Sequence, residues 1–407
     1  MVLKRQLNGS PKNQVLVMLF PQSKIARPYN KSRHSLPRKS LEYRDYVISI
    51  VDGKAVLKAV ESVRHMDTSR SVPIRPPLTF FKDINDSFFA DSLFDRTQAY
   101  DDQVISQVRN IAVNSGILDL ENSRQVAAFK AFCPAGLLFY PNASADKMVS
   151  ALSFINLLWF VDDILDDKYF LTTGEAVSLV SCVANTFIFQ ARPSNPCTNW
   201  PKIESYALAV RGRLLMHMSA EWVARFGQSY RNYAFASLKE TNMNRQRKKI
   251  NVDQYQDLRM LTSAVYPCQE LLAMIYGFDM PDTPLAKRAR HLNNRIISFS
   301  NDIFSFEKEF NSNSMNLVKL IMHHYKTTLD QTLEYCVELL NKDIAELLSI
   351  EKKVRGTSDF SEDCLIGLKF MIQGNAIFSR NSKRYCRPSS PFIDLREQYL
   401  KISQRLS

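Results

Sequence analysis

The stretch that decides the fold is Phe154-Ile155-Asn156-Leu157-Leu158-Trp159-Phe160-Val161-Asp162-Asp163-Ile164-Leu165-Asp166-Asp167. Its apolar part predicts a buried helix, and four carboxylates follow at the C-terminal end of that helix. An apolar core does not tolerate such charges alone, so they need bound cations, a solvated rim or both. The stretch therefore predicts a metal site at the mouth of an apolar cavity, with a solvated acidic helix end as the alternative.

Helical spacing sorts these aspartates into two pairs. Residues four apart lie on one helix face, so Asp162 projects with Asp166 and Asp163 with Asp167. Carboxylate oxygens suit Mg²⁺, which proteins hold with one or two carboxylates plus the phosphates of a substrate. No Cys or His lies nearby in the sequence to indicate zinc.

A second polar pattern occurs much later, in Asn301-Asp302-Ile303-Phe304-Ser305-Phe306-Glu307-Lys308-Glu309. Asn301, Ser305 and Glu309 are four residues apart and form one stripe on a helix. An amide oxygen, a hydroxyl and a carboxylate make a second set of oxygen ligands for a hard cation. Taken alone the stripe is more simply a polar helix face, but together with the aspartates it favours a metal site between two helices.

The ordered pair of motifs resembles the two metal motifs of class I terpene synthases of the microbial type, a group also found in amoebae, fungi and some animals such as corals. The resemblance covers roughly residues 80–390. It implies an all-α helical bundle with a central active site, a prenyl diphosphate substrate and Mg²⁺ as the cofactor, with three ions expected. It also implies the metal ligands Asp162, Asp163, Asp166, Asn301, Ser305 and Glu309.

Other residues match the same family pattern. The resemblance implies that Arg259, Lys308, Arg384 and Tyr385 contact the diphosphate of the substrate. It places Thr262 and Ser263 at a kinked helix beside Arg259, although the family often carries Gly where Ser263 stands. It likewise often carries Trp where Phe378 stands.

Aromatic residues near these motifs are candidates for the cavity wall. Trp159 precedes Asp162 by one helical turn, and Phe378 precedes Tyr385 by seven residues on the same face. Their rings, and that of Tyr266, would stabilise a carbocation by roughly 0.5 to 2 kcal/mol each. Core packing is the alternative role for all three.

Composition fits one helical domain. The chain is 45% hydrophobic with only 11 Gly, and apolar residues recur three or four apart along most of it. We assign residues 76–407 to this domain. The sequence shows no glycine-rich phosphate loop and no uninterrupted apolar run of membrane-spanning length.

The net charge of +12 is concentrated at the N-terminus. Residues 1–75 contain 15 Lys and Arg against 5 Asp and Glu, which leaves the remainder nearly neutral and gives no reason to expect a nucleic-acid partner. This segment is predicted to be a disordered basic extension, with an organellar transit segment as the alternative. The seven unpatterned cysteines indicate reduced thiols and a cytoplasmic protein.

Several functions are compatible with these motifs. Cyclisation of geranylgeranyl diphosphate is the first choice, and cyclisation of farnesyl diphosphate is its alternative. A chain-elongating prenyltransferase would carry two aspartate-rich motifs, and a non-catalytic isoprenoid-binding protein would not need every ligand. A monomer and a homodimer are both compatible with the sequence.

Overall fold

The computed structural model describes residues 4–6, 15–22, 42–51, 54–65, 98–166, 173–189, 200–309, 314–354 and 362–381. From residue 98 onward this part of the chain is all-α, as predicted. Its helices are α1 (Gln98–Asn114), α2 (Ser123–Phe139), α3 (Ala145–Asp166), α4 (Thr173–Ile188), α5 (Pro201–Leu215), α6 (Ala220–Arg245), α7 (Val252–Thr262), α8 (Val265–Tyr276), α9 (Pro284–Glu309), α10 (Leu317–Tyr325), α11 (Leu329–Val354) and α12 (Glu362–Asn381).

Four strands lie within the basic N-terminal segment. They are β1 (Lys4–Gln6), β2 (Val15–Gln22), β3 (Glu42–Val51) and β4 (Lys54–His65), paired antiparallel in sequence order. The basic composition predicts a disordered segment here, although runs rich in Val and Ile favour strands. The domain boundary near residue 75 stays a prediction.

Helix α3 is the central element of the bundle. It packs against α1 and α2 on one side and against α5 and α8 on others. Its stretch Ala145–Leu165 is apolar and long enough to cross a membrane by length and composition, yet 72% of the searched window is buried in the protein. On its inner face the Phe154 ring meets the edges of Phe187 and Phe226, with ring centroids 6.2 and 4.6 Å away. These contacts join α3 to α4 and α6.

Close packing of α12 against α2 and α9 sets the opposite wall of the bundle. A Cβ atom at Gly374 would collide with the carbonyl oxygen of Leu138, so only glycine allows this approach between α12 and α2. On the α9 side, Asn293 donates a 2.7 Å hydrogen bond to the carbonyl oxygen of Leu368. Both contacts fix the position of α12 relative to α2 and α9.

The cysteines differ partly from the expectation. Cys133, Cys268, Cys336 and Cys364 are buried free thiols, and burial raises the pKa of Cys133 and of Cys268 to about 12. Cys182 is disulfide-bonded, so the prediction of reduced thiols does not hold there. Cys197 and Cys386 lie outside the described residues.

Candidate active site

A cavity of about 360 Å³ lies in the middle of the bundle. Helices α2, α3, α6, α7, α8, α9 and α12 all contribute to its walls. Polar or charged side chains border it on α3, α6, α7 and α9, and Asn375 does so on α12. Apolar side chains border it elsewhere, among them Ala135, Phe139, Ile155, Leu158, Val265, Ile297 and Phe378.

The aspartate run is only partly directed into this cavity. Asp162 borders the cavity, whereas Asp163 is exposed and is not among the lining residues. Residues one apart on a helix point about 100° away from each other, which accounts for the difference. The backbone of α3 continues to Asp166, whose side chain lies outside the described residues, as does Asp167.

The second motif brings Asn301 and Glu309 to the same cavity from α9. Ser305 lies on the same stripe but is 2% exposed and does not border the cavity. Asn316, just before α10, covers this part of the stripe, because its amide nitrogen donates to Glu309 Oε2 at 3.0 Å and to Ser305 Oγ at 3.4 Å. Asn316 thereby fixes two of the three predicted ligands.

Arg259 joins α7 to the second motif. Its Nε donates to Asp302 Oδ1 at 2.8 Å and its Nη2 donates to Asn301 Oδ1 at 3.0 Å. Burial is the largest single influence and lowers the Arg259 pKa, but the combined attraction of Asp302, Tyr255, Glu240 and Glu309 outweighs it, so the pKa is raised. The Tyr255 hydroxyl donates to Asp302 Oδ2 at 2.6 Å and completes the support of this carboxylate from α7. Asp302 thus holds Arg259 at the cavity wall.

Glu240 on α6 is a further carboxyl group at this end of the cavity. The pKa of Glu240 is raised to about 7. Burial is the largest cause, the negative charges of Asp302 and Glu309 also raise it, and the positive charge of Arg259 opposes them. Asp162, Glu240, Asp302 and Glu309 therefore border one cavity, and Arg259 is the one arginine that borders it among the described residues.

The helical path is interrupted between α7 and α8, beside Arg259, and this interruption is called the break below. Thr262 and Ser263 border the cavity there, and Ala264 has a left-handed backbone with φ of 60°. Asn294 on α9 holds the break: its Nδ2 donates to the carbonyl oxygen of Met260 at 2.8 Å, and its Oδ1 accepts from Ser263 Oγ at 2.9 Å. The residue that needs the unusual backbone is Ala264, one position after Ser263.

Two of the three candidate aromatics border the cavity. Trp159 and Phe378 line it, and the Trp159 indole is stacked on Phe132 with ring centroids 3.6 Å apart. Tyr266 does not line it; its side chain lies in a separate groove, with its hydroxyl 3.4 Å from His291 Nδ1. The expectation for Tyr266 fails because the turn at Ala264 rotates α8 relative to α7.

The oxygen donors present fit Mg²⁺ better than a softer metal. Asp162, Asn301 and Glu309 offer carboxylate and amide oxygens, and the described residues that border the cavity include no His and one Cys, Cys268 on α8. Among the described residues no three His, Cys, Asp or Glu side chains cluster closely enough to bind an ion by themselves. A metal here would need the amide of Asn301 and oxygens of a bound ligand as well.

The same features recur in known proteins. The model of the family described as "Terpene synthase family 2, C-terminal metal binding" matches residues 153–346, which contain both motifs. Terpene synthase 2 of Dictyostelium purpureum is 26% identical over 310 residues, covering 72% of this chain and 90% of that protein. The chain belongs to the terpene synthase family.

Other similar proteins agree with this assignment. A (+)-T-muurolol synthase of Roseiflexus castenholzii, described as cyclizing farnesyl diphosphate, is 26% identical over 65% of this chain and 82% of its own length. The crystal structure of 2-methylisoborneol synthase from Streptomyces coelicolor has the same fold, with a TM-score of 0.63 at 17% identity over 72% of this chain and 94% of that one. The fold of this terpene synthase is thus the class I helical bundle, and the chain is a lyase of that class.

Some of the predicted residues of this terpene synthase cannot be located. Arg384 and Tyr385 lie outside the described residues, and so does the side chain of Lys308, although its backbone belongs to α9. Their roles stay predictions, as does the complete set of metal ligands.

Three residues of the site of this terpene synthase were not predicted from the sequence, and a fourth, Asn316, was noted only as part of a family-like sequence after the second motif. Glu240, Asn294 and Asn375 lie on helices, where a polar residue ordinarily marks the solvent side. Asn316 alone gave a signal, because it follows the second motif closely in a family-like sequence. The other three become visible only when the helices are assembled.

Proposed function

We propose that this terpene synthase ionises a linear prenyl diphosphate and cyclises the resulting carbocation inside the central cavity. The observation that carries the proposal is that one cavity is bordered both by Asp162, Arg259, Asn301 and Glu309 and by apolar and aromatic side chains. The charged and amide groups suit a diphosphate, and the apolar and aromatic groups suit a hydrocarbon chain.

Charge at the polar end would drive the first step. Asp162, Asp166, Asn301, Ser305 and Glu309 would hold Mg²⁺, which when bound supplies positive charge that stabilises the departing diphosphate. Arg259 borders the cavity with its guanidinium fixed by Asp302, so it would donate hydrogen bonds to the diphosphate without reorganising. Lys308, Arg384 and Tyr385 are the further donors that we propose.

The apolar end would protect the cation. Water would quench a carbocation at once, so the hydrocarbon chain must lie in a closed, water-free space. The faces of Trp159 and Phe378 would stabilise positive charge as it moves along the chain, and the stack of Phe132 on Trp159 keeps the indole from turning away.

Two substrates are candidates, farnesyl diphosphate and geranylgeranyl diphosphate. The relatives named for their products include a synthase that cyclises farnesyl diphosphate and a germacrene A synthase, which favours the C15 substrate. Geranylgeranyl diphosphate, the first choice from the sequence, becomes the alternative. A prenyltransferase is disfavoured because the second motif is Asn, Ser and Glu rather than aspartates.

Incubation of the purified full-length protein and Mg²⁺ with each diphosphate tests the proposal. We expect release of inorganic diphosphate together with a cyclic hydrocarbon or alcohol, detected by gas chromatography and mass spectrometry. A higher kcat/KM for the farnesyl substrate would support the sesquiterpene assignment. Binding without diphosphate release would instead support an isoprenoid-binding protein.

A further inference from the structure

Asn375 on α12 is a buried amide at the cavity wall, one helical turn before the ring of Phe378. Its side chain is 4% exposed and borders the cavity, whereas the neighbouring Gly374 lies against α2. No prediction from the sequence assigned it a role. A buried amide needs hydrogen-bond partners for its nitrogen and its oxygen.

The amide nitrogen of Asn375 is fully engaged with α9. Nδ2 donates to Ser300 Oγ at 3.0 Å and to the carbonyl oxygen of Ile297 at 3.4 Å. Ser300 Oγ in turn donates its only hydrogen to the same carbonyl oxygen at 3.0 Å. An amide turned by 180° would place its oxygen beside the Ile297 carbonyl oxygen and would require the Ser300 hydroxyl to give up its bond to that carbonyl. The hydrogen-bond network therefore favours the orientation with the nitrogen toward α9.

The amide oxygen of Asn375 is left facing away from α9. No hydrogen bond to this Oδ1 occurs among the described residues, and the side chain borders the cavity. An amide oxygen is the negative end of a dipole, and an apolar, water-poor surrounding strengthens its interaction with a positive charge. Because both donated bonds hold the amide, the dipole would not have to reorganise when such a charge appears.

We propose that the Asn375 oxygen contacts the carbocation during cyclisation and favours those intermediates whose charge lies next to α12. The inference rests on the proposed function, which supplies the cation. It adds a polar group to the aromatic rings that steer the reaction: the rings act through their faces, whereas the amide acts at one point. The partition among products should therefore depend on this oxygen.

Asn375→Leu tests the inference, because leucine keeps the same branched arrangement of side-chain heavy atoms and removes the dipole. We expect the ratio of the main cyclic products to change by about three-fold or more, measured at equal total diphosphate release. Asn293→Leu is the matched control: Asn293 is an equally buried amide that joins α9 to α12, but it does not border the cavity. It should lower the melting temperature and leave the product ratio unchanged.

A second variant, Ser300→Ala, tests the inference even if the Asn375→Leu protein does not fold. Ser300→Ala keeps the Asn375 oxygen and removes one of its two anchors, so it should shift the product ratio in the same direction by a smaller factor. Unchanged ratios in both variants, with a cyclic product from the wild type, would overturn the inference and leave the proposed function standing. Absence of diphosphate release by the wild type from either substrate would overturn both.

Discussion

Asp162 and Glu309 come from different helices and border one cavity, which makes them the direct test of the metal site. Asp162→Ala and Glu309→Ala should abolish Mg²⁺-dependent turnover. The melting temperature without metal should stay unchanged or rise for Asp162→Ala, because removing one of several like charges relieves repulsion. For Glu309→Ala, loss of the hydrogen bond from Asn316 offsets that gain by about 0.5 to 1.5 kcal/mol.

Asp257→Ala is the control for both variants. Asp257 is an exposed carboxylate on α7, the helix that carries Arg259, and it does not border the cavity. Its replacement should leave the rate of diphosphate release near that of the wild type. Normal turnover by Asp162→Ala or by Glu309→Ala would show that the metal site is assigned wrongly.

Glu240 gives the metal-free protein a pH-dependent stability. Its pKa in the folded state is about 7, against 4.5 for an unperturbed glutamate. Between these values the unfolded chain has lost the proton while the folded chain keeps it, so the free energy of unfolding falls as pH rises from about 4.5 to about 7. Above that range the loss is complete and amounts to at most about 3 kcal/mol.

Replacement by an uncharged isostere should remove this dependence. Glu240→Gln is expected to have a higher unfolding free energy than the wild type at pH 8 and an equal one at pH 4, measured by denaturant titration with a chelator present. An equal difference at both pH values would show that the folded-state pKa of Glu240 is not raised. The Asp257→Ala protein provides the reference curve.

Trp159 should control which product forms. Trp159→Leu removes a cation-stabilising face worth roughly 1 kcal/mol, which changes the partition between competing cations by several-fold. We expect more linear or early-quenched products while diphosphate is still released. The same product spectrum at a normal rate would make Trp159 a packing residue only.

At the level of helices, the break between α7 and α8 depends on α9. Asn294 is fully buried and binds Met260, Ser263 and Ser298 at once. Asn294→Ala leaves these groups unpaired and opens a small void, which should lower the free energy of unfolding by about 2 to 4 kcal/mol. It should also lower kcat more than it raises KM, because the break positions Arg259 and Thr262 for the ionisation step.

Asn293→Ala separates the two effects, since it removes the neighbouring amide on α9 without touching the break. It should lower stability by a similar amount and change kcat less. If both variants lose kcat equally, the break has no particular link to ionisation. Unfolding curves and steady-state kinetics of the two proteins decide the matter.

Spacing along single helices was the part of the site that the sequence could reveal. Asp162, Asn301 and Glu309 were predicted because their positions repeat with the helical period and their oxygens share one chemistry. Ser305 follows the same period, but Asn316 from the next segment covers it, which no periodicity indicates. Tyr266 was placed in the cavity because the turn at Ala264, a residue with no special sequence signal, could not be foreseen.

On the scale of the whole molecule, the N-terminal segment is separate from the described site. Among the described residues, those that line the cavity lie between Ala135 and Phe378, so deletion of residues 1–70 should leave turnover within a few-fold of the full chain. Turnover and the melting temperature of both proteins provide the measurement. Loss of a folded, active enzyme would show that the strands of this segment are integral to the domain.

Targeting by the same segment is tested separately. Imaging of a full-length chain with a C-terminal tag would distinguish the predicted cytoplasmic protein from one imported into an organelle. A purely cytoplasmic signal would count against a transit segment. The net charge was readable from the sequence. The strands were missed although runs rich in Val and Ile favour them, because the basic composition was interpreted as the mark of a disordered segment.

Helix α3 also has a consequence for how the protein is made. Its apolar surface is complete once residue 166 has been synthesised, whereas α5, α6 and α8, which cover much of it, follow later. About 110 residues separate the ends of α3 and α8, which corresponds to roughly 5 to 20 s of translation. During that interval a nascent chain carries an uncovered helix of membrane-spanning length, so ribosome-bound chaperones and the rate of translation become determinants of its yield.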